Sequence, residues 1–128
     1  MPHEATPFAL VVRFTVRPGR EADFDQLVAR TAGGIRAHEP GTLVYACHQV
    51  DGAPRERIFY ELYRDRAAFN DHEVQPHTRR FLAEREPLLE SKQVDFLVLS
   101  DGMWTIVARH EDRELARLPI VIKRGVPS

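Results

Sequence analysis

Residues 8–16, FALVVRFTV, alternate between two kinds of side chain, and this alternation constrains the fold more than any other feature. The even-numbered positions carry the larger apolar side chains, namely Phe8, Leu10, Val12, Phe14 and Val16. A period of two puts alternate side chains on opposite faces of a β-strand. The segment is therefore predicted to be a strand with one face in a core. Arg13, on the other face, must reach solvent, a partner or a ligand.

A helix and a strand hairpin are predicted to follow this strand. Apolar residues at helical spacing run through residues 21–38, and the segment Glu39-Pro40-Gly41 ends that pattern. Residues 42–50 and 58–63 are rich in strand-forming side chains and flank the turn signal of residues 51–54. Their close spacing predicts an antiparallel pair.

Two short helices and another strand complete the pattern. Asp65 is suited to cap a short helix through Phe69 and His72, and Pro76 suits the first turn of a helix running to about Leu89. Residues 94–99 form the next predicted strand. The order β, α, β, β, broken α, β predicts an α+β, ferredoxin-like fold, an antiparallel sheet with helices on one face. Two helices cannot cover both faces, so we expect a homodimer to cover the second.

Length and charge narrow the class of protein. A chain of 128 residues suits one domain, and its 18 basic and 19 acidic residues are interspersed, which argues against a nucleic-acid partner. The apolar runs are too short to span a membrane, and the N-terminal residues lack the pattern of a signal peptide. Cys47 is the single cysteine. We therefore expect a cytoplasmic protein.

Several short motifs occur in an order that carries a family resemblance. They are Arg17-Pro18-Gly19, the turn EPGTLVY at residues 39–45, Tyr60-Glu61-x-Tyr63-x-Asp65-x-Ala67-Ala68, and His72-x-x-x-Pro76-His77. In this series the chain resembles the antibiotic biosynthesis monooxygenase (ABM) family of dimeric α+β barrel proteins. The resemblance implies a single domain over residues 1–128, with the family region at about 8–100. Residues 101–128 would be an extension, which their apolar segments and Asp101-Gly102 predict to be a hairpin.

The resemblance also implies a chemistry. Such proteins oxidise an electron-rich aromatic substrate, a quinol or an anthrone, with O2 and without a cofactor. The base is predicted to be His72, and Glu61 is predicted to contact and orient its ring. The alternatives are that His72 merely finishes a helix, and that Glu61 faces solvent or pairs with an arginine. A tyrosine at position 63 also resembles the branch of autoinducer-2-processing isomerases, which would act on an enediol. A non-catalytic dimer that binds a small molecule is the third possibility.

Further residues are candidates for binding the substrate. In the family a cavity between sheet and helices holds flat aromatic molecules, and the candidates to line it are Arg13, Tyr45, Tyr63, Phe69, Asn70, His77 and Phe81. Glu61, His72 and His77 are the candidates for a two-histidine, one-carboxylate metal site. Because a spacing of five across Pro76 does not match a metal-binding helix, no metal is expected.

Overall fold

A computed structural model describes residues 6–99, which form four strands and three helices. In chain order the elements are β1 Phe8–Val16, α1 Glu21–His38, β2 Thr42–Val50, β3 Ala53–Tyr63, α2 Arg66–Glu73, α3 Pro76–Arg85 and β4 Leu89–Leu97. A 3-10 turn, Glu86–Leu88, connects α3 to β4. The predicted C-terminal hairpin lies outside the described residues.

The strands form one antiparallel sheet in the order β2-β3-β1-β4. The even-numbered side chains of β1 face the helices, as their alternation predicts, and the helices bury their apolar faces against them. The core is completed by Phe24, Leu27, Val28, Phe59, Tyr63, Ala68, Phe81, Leu88 and Leu89. This arrangement confirms the predicted α+β, ferredoxin-like fold with helices on one face of the sheet.

Two element boundaries differ from the sequence predictions. Strand β3 begins at Ala53 because Asp51 and Gly52 alone make the turn, with Gly52 at φ 78°. Helix α3 ends at Arg85 because Pro87 lacks a backbone N–H and restricts the residue before it. Strand β4 therefore begins at Leu89 and not at the predicted position 94.

Two glycines allow the helices to approach each other closely. A Cβ at Gly34 of α1 would lie 2.5 Å from Cγ of His77, so α1 and α3 contact each other there. A Cβ at Gly41 would lie 2.6 Å from Cβ of Ala68 in α2. Since real Cβ atoms do not approach so closely, both positions need glycine. They bring the end of α1 against the junction of α2 and α3.

The sheet face opposite the helices carries partly buried apolar side chains. The strand registers align them across three strands as Val11, Val44, Ala46, Ile58, Tyr60 and Leu62. In the part of the chain that the structure describes, no helix lies over this face. No helix within residues 6–99 is long and apolar enough to cross a membrane.

Candidate functional site

His72 lies in the last turn of α2 and is only 5% exposed. The side chain of Asp65 accepts a hydrogen bond from the Ala68 backbone N–H at 2.8 Å, which fixes the start of this helix as predicted. The imidazole of His72 is surrounded by the rings of Tyr63, Tyr45 and Phe69, at centroid distances of 5.3, 5.9 and 6.4 Å. The ring therefore faces the sheet and an aromatic environment.

Glu39 joins the two histidines of the α2–α3 junction. Its Oε1 lies 2.9 Å from His72 Nδ1, and its Oε2 is hydrogen-bonded to His77 Nε2. The hydroxyl of Thr42 donates to Oε1 at 2.6 Å, and the hydroxyl oxygen of Thr78 lies 3.3 Å from His72 Nδ1. The Glu39 side chain is only 1% exposed, so these groups replace water as its partners.

The charge of Glu39 fixes the tautomer of His72. Burial raises the pKa of this carboxyl, but hydrogen bonds from His72, Thr42 and His77 outweigh that effect and hold the pKa at about 2. A carboxylate only accepts hydrogen bonds, so Nδ1 of His72 must carry a proton. In the neutral ring Nε2 then has a free lone pair, and no group within residues 6–99 hydrogen-bonds to it. This is the arrangement of an oriented base.

Glu61 is buried but has a different partner from the predicted one. The hydroxyl of Tyr63 donates to Glu61 Oε1 at 2.5 Å, whereas the contact expected with His72 is made by Glu39. The pair forms because residues two apart on β3 point to the same face. Burial raises the pKa of Glu61 although the Tyr63 hydrogen bond and the charge of His72 lower it. The pKa of Tyr63 is also raised, first by burial and then by Glu61.

The other predicted binding residues differ in their distance from His72. The structure brings Tyr45, Tyr63 and Phe69 together around His72, while Phe81 stacks deeper in the core at 6.0 Å from Phe59. His77 lies on the far side of Glu39 from the aromatic rings around His72.

Arg13 and Asn70 do not lie with this group. The strand alternation puts Arg13 on the face away from the helices, where its Nε donates to Glu56 at 2.9 Å. Asn70 is exposed on α2.

Arg85 is a polar residue of this region that the sequence did not single out. Its guanidinium carbon lies 5.4 Å from the ring centroid of Phe14 and 5.5 Å from that of Phe81. Its Nε is the one buried side-chain nitrogen or oxygen of residues 6–99 without a hydrogen-bond partner, since Glu86 is 3.8 Å away. Burial lowers the pKa of Arg85, while the charges of Glu86 and Glu61 act in the opposite direction.

Glu39 was also missed as a functional candidate, although its position carried a signal. It follows the last residue of α1, where the helix dipole disfavours a negative charge. A carboxylate at that place needs cationic or donor partners, and the following motif with two histidines supplies them. The alternative ligand set of Glu61, His72 and His77 is not assembled, and residues 6–99 contain no cluster of three such side chains suited to a metal ion.

An aromatic strip connects the His72 surroundings to the protein surface. Phe69 is 4.8 Å from Phe8 and 6.0 Å from Phe96, and Phe96 is 60% exposed. Phe96 pairs with Leu10 across the β1–β4 ladder and so belongs to the helix-side face of the sheet. Sequence reasoning missed Phe8 and Phe96 as part of the site because they lie on β1 and β4, far from His72 in the sequence.

Comparisons with solved structures agree with this fold. The structure matches PA3566 from Pseudomonas aeruginosa with a TM-score of 0.70 and 28% sequence identity, covering 77% of this chain and 99% of that one. It matches Rv0793 from Mycobacterium tuberculosis with a TM-score of 0.69 and 26% identity, covering 77% and 100%. It spans 45% of a longer protein from Lactobacillus acidophilus NCFM, with a TM-score of 0.70, 22% identity and coverage of 74% of this chain.

Sequence comparison gives the family. No curated protein matches the chain. Residues 7–84 match the sequence model described as antibiotic biosynthesis monooxygenase, ABM, and this match covers more than half of the 128 residues. The chain therefore belongs to the antibiotic biosynthesis monooxygenase family.

Proposed function

We propose that this protein is a cofactor-independent monooxygenase that oxidises a quinol or an anthrone-like aromatic substrate with O2. The observation that carries the proposal is the hydrogen bond between His72 Nδ1 and the buried Glu39 carboxylate, which leaves Nε2 as a base beside aromatic rings. Glu39 takes the orienting role that the sequence suggested for Glu61.

The immediate surroundings of His72 favour its action as the base. When Nε2 accepts a proton, the imidazolium is stabilised by the negative charge of Glu39 at Nδ1. The neighbouring phenols of Tyr45 and Tyr63 have pKa values raised by burial, so they remain neutral and do not compete as bases. When it is ionised, Glu61 adds a second negative charge that favours protonated His72 through space.

The aromatic strip supports a flat, electron-rich substrate. Phe8, Phe69 and Phe96 are in mutual contact, and these rings extend from the surface to Tyr63. Aromatic rings prefer tilted, offset or edge-to-face contacts with centroids about 4.5–7 Å apart, and the contacts among these rings lie within that range. A planar polycyclic substrate fits such a surface better than a small hydrophilic enediol does.

The reaction needs only the substrate, O2 and a base. For an anthrone, Nε2 of His72 removes a proton from the methylene carbon, and the resulting enolate transfers electrons to O2 in single-electron steps. Recombination forms the C–O bond of a peroxide anion, which takes the proton back from His72. Loss of the remaining C–H proton with cleavage of the O–O bond gives the quinone and one water molecule. One O2 is consumed for each anthrone, one oxygen atom entering the product and the other leaving as water.

Arg85 is the group that we assign to the oxygen of the deprotonated substrate. Its buried Nε lacks a partner among residues 6–99, and a cationic donor in a dry site stabilises a developing oxyanion more strongly than it would in water.

Oxygen uptake tests this function. The purified protein is given a panel of quinols and anthrones in an oxygen electrode, with a chelator present throughout. We expect uptake of one O2 per anthrone and a loss of about 100-fold or more in His72→Gln, because general-base catalysis contributes at least that factor. His48→Gln is the matched control, since His48 is exposed on β2 away from the site. Enediol turnover without O2 would favour the isomerase instead, and ligand-induced stabilisation without turnover would favour a binding module.

The family membership also supports a homodimer. The uncovered sheet face has a contiguous set of apolar side chains that includes the buried Val44 and the partly buried Tyr60 and Leu62. We assign this face to the contact with a second copy, because association would remove that apolar surface from water.

A further inference from the structure

We propose that His77 is a positioning residue whose charge controls how readily His72 accepts a proton, through the carboxylate of Glu39 that both rings share. This inference rests on the proposed role of His72 as the base, and it adds a control of that base by pH. The observation that supports it is the arrangement of three buried or half-buried side chains, those of Glu39, His72 and His77.

Glu39 has one oxygen for each histidine. Oε1 contacts Nδ1 of His72 at 2.9 Å, and Oε2 contacts Nε2 of His77. One negative charge therefore serves two rings that can each become positive. When one ring is protonated, the carboxylate is already neutralised, and a second proton on the other ring receives much less electrostatic stabilisation.

His77 is the more exposed of the two rings. The side chain of His77 is 14% exposed and that of His72 is 6% exposed, so charging His77 costs less desolvation. Protonated His77 then lowers the proton affinity of His72 and keeps Nε2 free as a base to a lower pH.

The packing of α1 against α3 fixes the position of the His77 ring. Gly34 has no Cβ, and a Cβ there would lie 2.6 Å from His77 Nδ1 as well as 2.5 Å from Cγ. His38 stacks on the same ring with its centroid 6.3 Å away, at an interplanar angle of 23°. A ring held between α1 and α3 with Nε2 aimed at Glu39 is more constrained than a surface histidine needs to be.

Other titratable and charged groups surround the pair. The titratable and charged groups of the packed elements are His38 and Glu39 at the end of α1, Tyr45 of β2, Glu61 and Tyr63 of β3, Glu73 of α2 and Arg85 of α3. Of these, burial raises the pKa of Glu61, and His38 is the one further histidine. It faces His77 rather than Glu39, so its substitution is the natural control.

Titration of the ring nitrogens by NMR tests the inference in the full chain. With 15N-labelled histidine, the protonation midpoint of His72 is measured from about pH 5 to pH 9 in the unaltered protein, His77→Gln and His38→Gln. Glutamine can still donate to Glu39 but cannot become charged. We expect His77→Gln to raise the His72 midpoint by about one pH unit, the scale of coupling between sites that share a partner. His38→Gln should leave it in place.

A His72 midpoint that is unchanged in His77→Gln, while His72 Nδ1 remains protonated and bonded, would overturn the proposal. If His77→Gln does not fold, NMR titration of the unaltered protein alone tests the proposal. The ring nitrogen signals of each coupled histidine must then change at the pH where the other ring titrates. Independent single-proton curves for the two rings would also overturn it.

The measurement needs no substrate, so its outcome is separate from that of the oxygen-uptake test. In an active protein, the acid limb of the pH–rate profile should move to higher pH in His77→Gln in step with the His72 midpoint.

Discussion

Gly34 of α1 and His77 of α3 are in direct contact, and the contact exists because residue 34 has no side chain. A methyl group at Gly34 would lie 2.5 Å from Cγ and 2.8 Å from Cβ of His77. These atoms are close to the backbone, so they can move away only if the ring changes its rotamer or α3 shifts. The position of His77 against Glu39 thus depends on a glycine in the neighbouring helix.

We expect Gly34→Ala to destabilise the protein by about 1–3 kcal/mol, the usual cost of forcing extra volume into a packed contact. Gly33 is the matched control, because a Cβ there meets no atom within 4 Å and the residue is helical. Gly33→Ala should stabilise by about 0.5–1 kcal/mol through helix propensity. Urea unfolding of the two variants measures both effects, and equal effects in the two variants would contradict the close contact.

Glu39 should make the stability depend on pH in the acid range. Its pKa is about 2 in the folded protein against 4.5 as the ordinary value, so its contribution is present above about pH 4.5 and is lost as the pH falls toward 2. The difference corresponds to about 3 kcal/mol at neutral pH. We expect Glu39→Gln to lose about that amount at pH 7 and almost nothing near pH 2, as measured by urea unfolding across pH.

The matched control for Glu39→Gln is Glu84→Gln, because Glu84 is exposed on α3. Its stability should follow that of the unaltered protein at every pH. A constant deficit for Glu39→Gln from pH 7 to pH 2 would mean that the loss comes from packing and not from the charge.

The contribution of Glu61 to stability should depend on pH in the opposite direction. Burial raises its pKa, so its contribution is fully present below about pH 4.5 and is lost as the pH rises through the raised value. Above that raised value the folded protein therefore holds a buried charge at a cost. We expect Glu61→Gln, whose amide oxygen can still accept from Tyr63, to be at least as stable as the unaltered protein at pH 7. That advantage should disappear near pH 4, and a loss of stability at pH 7 would contradict this account.

The fold was predictable because each element has a strong local pattern. The alternation in β1, the apolar spacing of α1 and the capping by Asp65 do not depend on distant residues, and their predicted positions are confirmed. The predictions of the start of β3, the end of α3 and the start of β4 were wrong. These boundaries are set by a two-residue turn and by Pro87, which act over only a few residues.

The partners within the site could not be predicted in the same way. His72 and Glu39 are 33 residues apart, and no local pattern states which carboxylate will reach a given ring. Glu61 was the expected partner because it lies on the helix-side face, but its neighbour Tyr63 on the same strand face is closer. Arg85 could not be singled out either, since its unpaired Nε becomes visible only with the packing.

The proposed dimer should dissociate when a charge is put into the uncovered sheet face. Tyr60 is partly buried at the centre of that face, between Val11 and Ala46 in the strand registers. We expect Tyr60→Glu to shift the protein toward monomer, because burying an unpaired carboxylate in an interface is costly. Sedimentation velocity measures the change, with Gln26→Glu on the exposed surface of α1 as the control. An unaltered protein that sediments as a monomer would rule the dimer out.

Substitution of Arg85 should affect stability and activity differently. Its guanidinium is largely buried on Phe14 and Phe81, and its Nε has no hydrogen-bond partner within residues 6–99. Arg85→Met keeps most of the volume and removes a poorly compensated buried charge, so we expect the stability to stay the same or to rise by about 1 kcal/mol. If Arg85 donates to the substrate oxyanion, kcat/KM should fall about 10- to 100-fold, since a hydrogen bond to a charged group contributes about 1.5–3 kcal/mol.

The control for Arg85→Met is Arg80→Met, an exposed position on the same helix, which should change neither quantity. Stability and kcat/KM falling together in Arg85→Met would assign Arg85 to packing. Retained stability with reduced turnover would assign it to the substrate, because only a contact made with the reacting molecule can be lost without weakening the fold.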